Sequence, residues 1–257
     1  MTESFKTEQN LIELGTNKKI NVIGDIHGQF YDLLTVFEKG GEVSENSYIF
    51  LGDYVDRGNF SIEVLIYLYY LKINYPSQIT LLRGNHENKH ICETFTFEVE
   101  VDAKYNTDVY NACIDSFNVM PLAATVNNYL CVHGGISPEL NTIEEIQELD
   151  RFREVPVEGP MNDLVWADPW KNYNADTEFQ HFLQNMARGC SYYFTYQTTC
   201  QWLENNKLDG ILRAHEVQMN GYGLVRKFKK YFECEYFHAK SNFLFFVCKK
   251  IQPISLA

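Results

Sequence analysis

The chain has 257 residues and a formal net charge of -12, with 45% hydrophobic and 22% charged residues. Such a composition is typical of a globular protein with a sizeable core and argues against a disordered chain. The acidic balance also argues against nucleic acid as a partner, because binding to a phosphate backbone needs patches of lysine and arginine.

The cellular environment is indicated by what the sequence lacks. Its polar first ten residues have no apolar signal-peptide core, and no apolar run reaches the roughly 20 residues of a membrane helix. Its seven cysteines include no CxxC pair, which argues against a disulfide framework or a structural zinc site. We therefore expect a cytoplasmic protein, with a nuclear location as the alternative, and no membrane or nucleic-acid partner.

Short apolar strands alternate with helices along the chain. The apolar runs predict strands at residues 19–24, 47–51, 78–82, 129–132 and 210–212. Helical spacing of apolar residues predicts helices at residues 29–40, 61–75, 142–149, 177–187 and 198–205, and a looser segment at 154–174. This alternation predicts an α/β fold with helices outside a central sheet, and ligands bound at the carboxyl ends of its strands.

Each of the five predicted strands ends in residues that can hold a metal or a phosphate. These clusters are GDIHG at 24–28, GDYVDRG at 52–58, RGNHE at 83–87, HGG at 133–135 and RAH at 213–215. Asp-x-His at a strand end puts a carboxylate and an imidazole on the same side of the chain. One such cluster is a weak signal, since a lone histidine there is more often structural. Five in one chain indicate a single metal-dependent site, with ligands suited to Mn, Fe or Zn.

The blocks GDIHGQ, GDYVDRG, RGNHE, HGG and RAH resemble the signatures of the phosphoprotein phosphatase family, the serine/threonine phosphatases of the metallophosphoesterase superfamily. Longer segments, among them RGNHENKHICETFTFEVE and ARGCSYYFTYQTTCQWL, are most similar to the calcineurin (protein phosphatase 2B) catalytic subunit. The resemblance runs from about Leu11 to about Arg226. It implies a β-sandwich of mixed sheets flanked by helices, and hydrolysis of phosphoserine and phosphothreonine in phosphoprotein substrates.

The resemblance also implies a pair of metal ions, iron with zinc or manganese. Its six implied ligands are Asp25, His27, Asp53, Asn85, His133 and His215. Asp25 and His27 would bind the first metal, Asp53 would bridge both metals, and the last three residues would bind the second. Two metals can deprotonate a water near neutral pH and stabilise the attacking and leaving oxygens of a phosphoryl transfer.

Further residues are expected to bind the substrate and move a proton. The resemblance implies that Arg57, Arg188 and Asn85 hold the substrate phosphate, and that His86, paired with Asp56, protonates the leaving alkoxide. Guanidinium groups make forked hydrogen bonds to phosphate that lysine cannot copy. A serine alkoxide is a poor leaving group, so a positioned acid should contribute about 10²–10⁴-fold to the rate.

Three charged neighbours of these residues are expected to have a structural role instead. Arg83, Glu87 and Arg213 belong to the same clusters, and we expect them to form a buried ion-pair lattice behind the metal ligands.

The resemblance stops after Gly223. Residues 226–250 hold seven Lys and Arg against two Glu, which reverses the charge balance of the preceding chain. We therefore predict a catalytic domain at residues 1–225 and a divergent or aberrant tail at 226–257. The sheet is then expected to lack its C-terminal strands, which would leave one edge open. A regulatory subunit remains a candidate partner, although the helix that binds it in the family is absent from this sequence.

Two other functions are compatible with the same residues. The abnormal tail favours a catalytically degenerate phosphatase-like protein that binds partners, and the metal cluster alone would also suit a metallophosphoesterase acting on a non-protein phosphoester. The complete set of predicted ligands, together with His86, Arg57 and Arg188, favours an active, metal-dependent protein serine/threonine phosphatase.

Overall fold

The structure is a computed structural model that describes residues 1–15, 19–170 and 181–218, together with the backbone of residues 234–235 and 245–248. Within these residues the chain forms two main sheets, a small third sheet and helices on both outer faces. No helix in the described ranges combines the length and the apolar character that spanning a membrane would require.

A five-stranded sheet carries the first three predicted strands. Strands β2 (Ile20–Ile23), β3 (Ser47–Phe50) and β4 (Ile79–Leu81) lie side by side and parallel. They are joined by helices α2 (Phe30–Gly40) and α3 (Ser61–Asn74), as parallel strands require. Both helices and all three strands lie within one or two residues of the predicted bounds, so this part of the prediction is confirmed.

The other side of β2 is covered by the C-terminal tail. Strand β12 (Phe245–Cys248) pairs antiparallel with β2, and β11 (Cys234–Glu235) pairs with β12. The expectation of an open edge is therefore wrong for β2. The Phe-Phe-Val-Cys run of β12 is the aromatic and β-branched composition that strands favour, and its pairing satisfies the backbone groups of a fully buried strand. The remainder of residues 226–257 lies outside the described part of the chain.

A four-stranded sheet faces the first one. Its order is β1 (Leu11–Leu14), β5 (Ala123–Val126), β6 (Tyr129–Val132) and β10 (Gly210–Leu212). β5 and β6 form a hairpin, whereas β1 and β10 run parallel to their neighbours. Sequence reasoning found β6 and β10 but missed β1 and β5.

A third, smaller sheet lies beyond the second. It consists of β7 (Asp168–Pro169), β9 (Tyr192–Phe194) and β8 (Phe182–Gln184). The predicted helix at 177–187 is therefore wrong where it is described, because Phe182–Gln184 pairs antiparallel with Tyr192–Phe194 across a hairpin. The first part of that prediction, residues 177–180, lies outside the described residues.

The remaining helices surround the sheets. They are α1 (Thr2–Lys6), α4 (Lys89–Thr94), α5 (Phe97–Lys104), α6 (Thr107–Phe117), a 3₁₀-helix (Glu144–Glu148), α7 (Pro160–Trp166) and α8 (Tyr196–Asn205). The helix predicted at 142–149 is the short 3₁₀-helix. The helix predicted at 198–205 begins two residues earlier, because the side chain of Thr195 caps it by accepting from the Thr198 N–H.

The core confirms the predicted sandwich. One apolar cluster joins β2 and β3 of the first sheet to β5, β6 and β10 of the second, so the two sheets pack face to face. A second cluster fills the space between the first sheet and helices α2, α3, α5 and α6, and a third lies under α7 and α8. Strands β2, β3, β4, β6 and β10 are followed directly by the five polar clusters of the sequence.

Candidate active site

Backbone hydrogen bonds join four of the five strand-end loops in two pairs. The N–H groups of Ile26 and His27 donate to the carbonyl oxygen of Asp53 at 2.8 and 2.9 Å. In the second sheet the N–H of Ala214 donates to the carbonyl of His133 at 3.0 Å. Within each pair, these bonds fix where the polar side chains begin.

Two glycines allow the loops after β3 and β4 to touch. A Cβ atom on Gly84 would lie 2.3 Å from Asp53 Oδ1 and 2.4 Å from the Asp53 nitrogen. Gly52 has a φ of +112°, and a Cβ atom there would lie 2.3 Å from the Gly84 nitrogen. No other residue type fits without displacing Asp53.

Asp53 occupies the centre of the site. It is 2% exposed, and its Oδ1 accepts the backbone N–H of His86 at 2.9 Å. Nε2 of His133 lies 3.4 Å from Oδ1, and Nε2 of His27 lies 3.4 Å from Oδ2. Asp53 belongs to two groups of possible metal ligands. One contains His27 and His86, the other His133 and His215, and within each group the ligand atoms lie within 4.8 Å of one another.

The imidazole nitrogens of the site fit bound cations. Nδ1 of His27 donates to the Val55 carbonyl at 2.7 Å, so its buried Nε2 carries a lone pair and faces carboxylates without a hydrogen-bond partner. Nδ1 of His133 likewise donates to the Leu51 carbonyl at 3.1 Å, and its Nε2 faces Asn85 Oδ1, 2.9 Å away. An imidazole lone pair and carboxylate oxygens that face each other in a buried site repel unless a cation lies between them, so His27 and the carboxylates it faces fit a metal ion.

The other predicted ligands lie in the same cluster. Nδ1 of His215 is 3.2 Å from Nε2 of His133, and its buried Nε2 has no hydrogen-bond partner. Asp25 Oδ1 accepts the backbone N–H of His215 at 3.1 Å, and Asp25 Oδ2 lies 3.9 Å from His27 Nε2. All six residues predicted as ligands are therefore brought together, and their individual coordination remains a prediction.

The charge states favour metal binding. Burial raises the pKa of Asp53, but the neighbouring imidazoles of His133, His86 and His27 outweigh it and hold this pKa well below its usual value. Burial, His133 and Arg188 hold the pKa of His215 well below its usual value. Near neutral pH Asp53 is thus an anion and His215 a neutral imidazole, which are the ligand forms of these side chains.

His86 and Asp56 form a buried pair next to the cluster. Asp56 Oδ2 lies 2.7 Å from His86 Nδ1, while Oδ1 accepts the N–H groups of Thr96 and Phe97 at 3.0 and 2.8 Å. Burial lowers the pKa of His86, but Asp53 and the hydrogen bond to Asp56 outweigh this effect and raise it. The geometry confirms that the two residues are paired, and the role of His86 as a general acid remains a prediction.

The two arginines predicted to bind phosphate differ in how they are held. Nε of Arg188 donates to Asp168 Oδ2 at 2.9 Å, and its Nη2 donates to the His215 carbonyl at 3.2 Å. Arg57 is exposed, and its backbone N–H donates to Thr96 Oγ1 at 2.9 Å. Arg188 is therefore fixed beside a predicted metal ligand, whereas Arg57 is at the surface.

Sequence reasoning missed Asp168, whose carboxylate binds both Arg188 and Arg213. It is 3% exposed and accepts from Arg188 and from Asn185 Nδ2 through one oxygen, and from Arg213 Nη2 at 2.8 Å through the other. Arg213 also donates to the Gly134 carbonyl, next to His133. The Trp-Ala-Asp-Pro sequence around it gave no sign of this role beyond an acidic residue among apolar ones.

The expected ion-pair lattice is only partly present. Arg213 pairs with Asp168 and with Glu216. Arg83, however, donates to the carbonyls of Glu87 and Arg153 and to Asn118 Oδ1. The carboxylate of Glu87 binds backbone groups instead of Arg83. It accepts the N–H groups of Asp53, Tyr54 and Gly84 at 2.7 to 2.9 Å.

A backbone feature also marks the site. Eight described residues other than glycine have a positive φ, and five of them were predicted as site residues: His27, Asp53, Asp56, Arg57 and His215. This conformation is unfavourable for residues with a side chain and persists only where the surrounding structure imposes it. The loops are therefore strained where the candidate ligands lie, a property that the sequence did not reveal.

Comparisons with known proteins agree with this geometry. The family model for calcineurin-like phosphoesterases matches residues 18–219. The chain belongs to the calcineurin-like phosphoesterase family. Its fold matches a solved serine/threonine phosphatase of Saccharomyces cerevisiae, described as similar to human phosphatase PP5, with a TM-score of 0.78, 39% identity, and coverage of 86% of this chain and 69% of that one.

Curated relatives of this chain are named serine/threonine phosphatases. A phosphatase 2B catalytic subunit of S. cerevisiae is 49% identical, over 89% of this chain and 42% of the relative. A protein phosphatase 2A catalytic subunit of Dictyostelium discoideum is 42% identical, over 86% of this chain and 69% of the relative. The chain thus spans less than half the length of the phosphatase 2B relatives it matches.

The glycine contact gives a test of the metal cluster. In Gly84→Ala the added methyl group would collide with Asp53, so we expect most of the bound metal to be lost, with an unfolding free energy lower by about 1–3 kcal/mol. Gly15→Ala is the matched control, since a Cβ atom there meets nothing within 4 Å. Metal content would be measured by mass spectrometry after metal loading. Equal metal content in Gly84→Ala and Gly15→Ala would contradict the account.

The Asp168 contacts give a second test. Asp168→Asn removes the charge that holds Arg188, so we expect phosphate to inhibit about 10-fold more weakly and kcat/KM to fall about 10–100-fold, since small misplacements near the reacting group are costly. Metal content should stay the same. Asp115→Asn, at an exposed position, controls for the charge change. Unchanged phosphate inhibition in Asp168→Asn would show that Arg188 does not bind phosphate or needs no anchor.

Proposed function

We propose that this phosphoesterase is a metal-dependent protein serine/threonine phosphatase that hydrolyses phosphoserine and phosphothreonine in phosphoproteins. The observation that carries the proposal is the buried carboxylate of Asp53, shared by two clusters of imidazoles and lying beside the His86–Asp56 pair. The names of the curated relatives, among them phosphatases 2B and 2A, support this substrate class.

Metal ions would be held by Asp25, His27, Asp53, Asn85, His133 and His215. When bound, a metal pair lowers the pKa of a water to near neutrality and stabilises negative charge on the phosphate oxygens. We propose iron with zinc, or manganese, as the metals, since the site combines carboxylate, amide and imidazole donors without a thiolate. None of the described cysteines belongs to the cluster.

The substrate phosphate would be bound by the guanidinium groups of Arg57 and Arg188, with the Asn85 amide beside them. Asp168 holds Nε of Arg188 and so sets the direction of the remaining N–H groups before substrate arrives. Orientation of this kind removes part of the entropic cost of the transition state. The exposed Arg57 can reach a phosphate on a protein surface, which a recessed group could not.

His86 would supply the proton that the leaving serine or threonine oxygen needs. Nδ1 of His86 is hydrogen-bonded to Asp56, which fixes the imidazole ring. Nε2 of His86 is therefore the nitrogen that can donate to a substrate. Two backbone N–H groups hold Asp56 in turn. The pair would therefore keep its geometry through the reaction, with the proton passing from Nε2 to the alkoxide oxygen.

We also propose a cytoplasmic location. Two of the free cysteines, Cys92 and Cys113, are buried as thiols, as is common in a reducing compartment. A fluorescent fusion that accumulated in a membrane-bound organelle would contradict this part of the proposal.

Hydrolysis of a phosphoserine peptide by the purified, Mn²⁺-loaded chain tests the proposed activity. Asp53→Asn is the control, since removing the shared carboxylate charge should abolish turnover. Phosphate release that the control eliminates would support the phosphatase. A soluble, metal-loaded chain that releases no phosphate from phosphoserine or phosphothreonine peptides would instead favour the catalytically degenerate binding protein, or, if it cleaves a phosphodiester, the phosphoesterase of non-protein substrates.

The role of His86 predicts a difference between two substrates. In His86→Asn we expect turnover of a phosphoserine peptide to fall about 10²–10⁴-fold, because the alkoxide then leaves without a proton. Turnover of an aryl phosphate with an acidic phenol should fall far less, since that leaving group needs no proton. Metal content should be unchanged. Equal losses on both substrates would assign His86 a role other than the general acid.

A further inference from the structure

A cavity of about 500 Å³ lies next to the turn that carries Arg188. Glu139 lines one side, residues 157–159 and Asp163 of α7 line a second, and the β8–β9 hairpin supplies the rest. The turn gives Asn185, Met186 and Gly189 to the cavity, while the Arg188 side chain reaches Asp168 and the His215 carbonyl instead. The cavity and the candidate phosphate site therefore share one turn of backbone.

The cavity is acidic. Three carboxylate residues line it, Glu139, Glu158 and Asp163, and none of its lining residues, all of them described, is Lys, Arg or His. Asp163 is buried and accepts the hydroxyls of Ser137 and Ser191 at 2.6 and 2.7 Å, so it is part of the floor. Glu139 and Glu158 are exposed and form no ion pair with any described residue. The cavity thus offers two free carboxylates to a cation.

The cavity also has an apolar rim. Val157 and Met186 line it, and at 84% and 81% exposure they are the two most exposed large hydrophobic side chains of the described residues. A single exposed apolar residue needs no explanation, but two that flank unpaired carboxylates suit a side chain with an apolar stem and a charged end. Lysine and arginine have this form.

We propose that this cavity is a substrate subsite that takes a lysine or arginine side chain a few positions away from the phosphorylated residue. The proposal rests on the proposed function, since it needs a phosphoprotein whose phosphate lies at Arg188. The turn between the two sites is short, closed by a 3.0 Å bond from the Gly189 N–H to the Asn185 carbonyl. An extended peptide advances about 3.3 Å per residue, so a few residues span it.

The test compares phosphoserine peptides that carry one lysine at successive positions on either side of the phosphoserine, each matched to a glutamine peptide. We expect kcat/KM to favour lysine about 3–10-fold at one or two neighbouring positions, the range for ion pairs at an exposed rim. In Glu139→Gln/Glu158→Gln the ratio of kcat/KM between the lysine peptide and the glutamine peptide should fall to near one. Turnover of an aryl phosphate should be unchanged, because neither residue belongs to the candidate catalytic site.

The control is Glu38→Gln/Glu45→Gln, which removes the same charge at exposed positions of the helix α2 region. The preference should persist in this control. No lysine preference at any position, or an equal loss of preference in the two double variants, would overturn the subsite.

A binding measurement keeps the subsite testable even if no substrate is hydrolysed. Fluorescence anisotropy of the labelled lysine peptide should show binding about 3–10-fold weaker to Glu139→Gln/Glu158→Gln than to the wild type or the Glu38→Gln/Glu45→Gln control. Weaker binding without turnover would retain the subsite and reject the proposed activity. Equal binding to all three proteins would reject the subsite, whatever the activity.

Discussion

The buried carboxylate of Asp53 is the constraint on which the rest of the site depends. A charge at 2% exposure is costly unless cations or donors surround it. Here the surrounding groups come from different strands: the His86 N–H after β4 donates to the carboxylate, and the imidazoles of His27 after β2 and His133 after β6 would share a cation with it. Because these elements belong to two sheets, the sandwich has to form before the carboxylate is compensated, and the compensation in turn ties the sheets together.

Other buried carboxylates give this arrangement its rigidity. Glu87 binds three backbone N–H groups and so fixes the Asp53 loop against the Gly84 loop. Burial and the nearby Asp53 raise the pKa of Glu87 to about 7, a sign of how crowded with negative charge the region is. Asp56 fixes His86, and Asp168 fixes Arg188 and Arg213. The Asp53 loop, His86 and Arg188 are thus each held by a carboxylate that would not touch substrate or metal.

Much of the fold could be predicted from the sequence, because the strands that carry the site are short, apolar and end at polar, mostly glycine-containing clusters. β2, β3, β4, β6 and β10 were found this way. Phe182–Gln184 was not, since its helical spacing is overridden by pairing with β9. The pairing of β12 with β2 could not be anticipated either, because the segment has no clear alternation and its partner lies more than 200 residues away in the sequence.

The site was predictable for a different reason, since residue types that bind metal follow five of the strands and the blocks that contain them resemble the signatures of the phosphoprotein phosphatase family. The sequence could not show how they are supported. Asp168 lies in a segment without a recognisable pattern, and the strained backbone at His27, Asp53 and His215 is invisible in residue types. The role expected for Arg83 was wrong in detail because its partners are mainly carbonyl groups, which every residue possesses and no sequence pattern marks.

The central claim is that Asp53 belongs to two metal-binding clusters at once, and electron paramagnetic resonance of the Mn²⁺-loaded chain tests it most directly. We predict about two Mn²⁺ per chain with the spectrum of an exchange-coupled pair, and loss of that spectrum in Asp53→Asn. Uncoupled Mn²⁺ in the wild type, or a coupled pair that survives in Asp53→Asn, would contradict the claim that this carboxylate joins the two clusters.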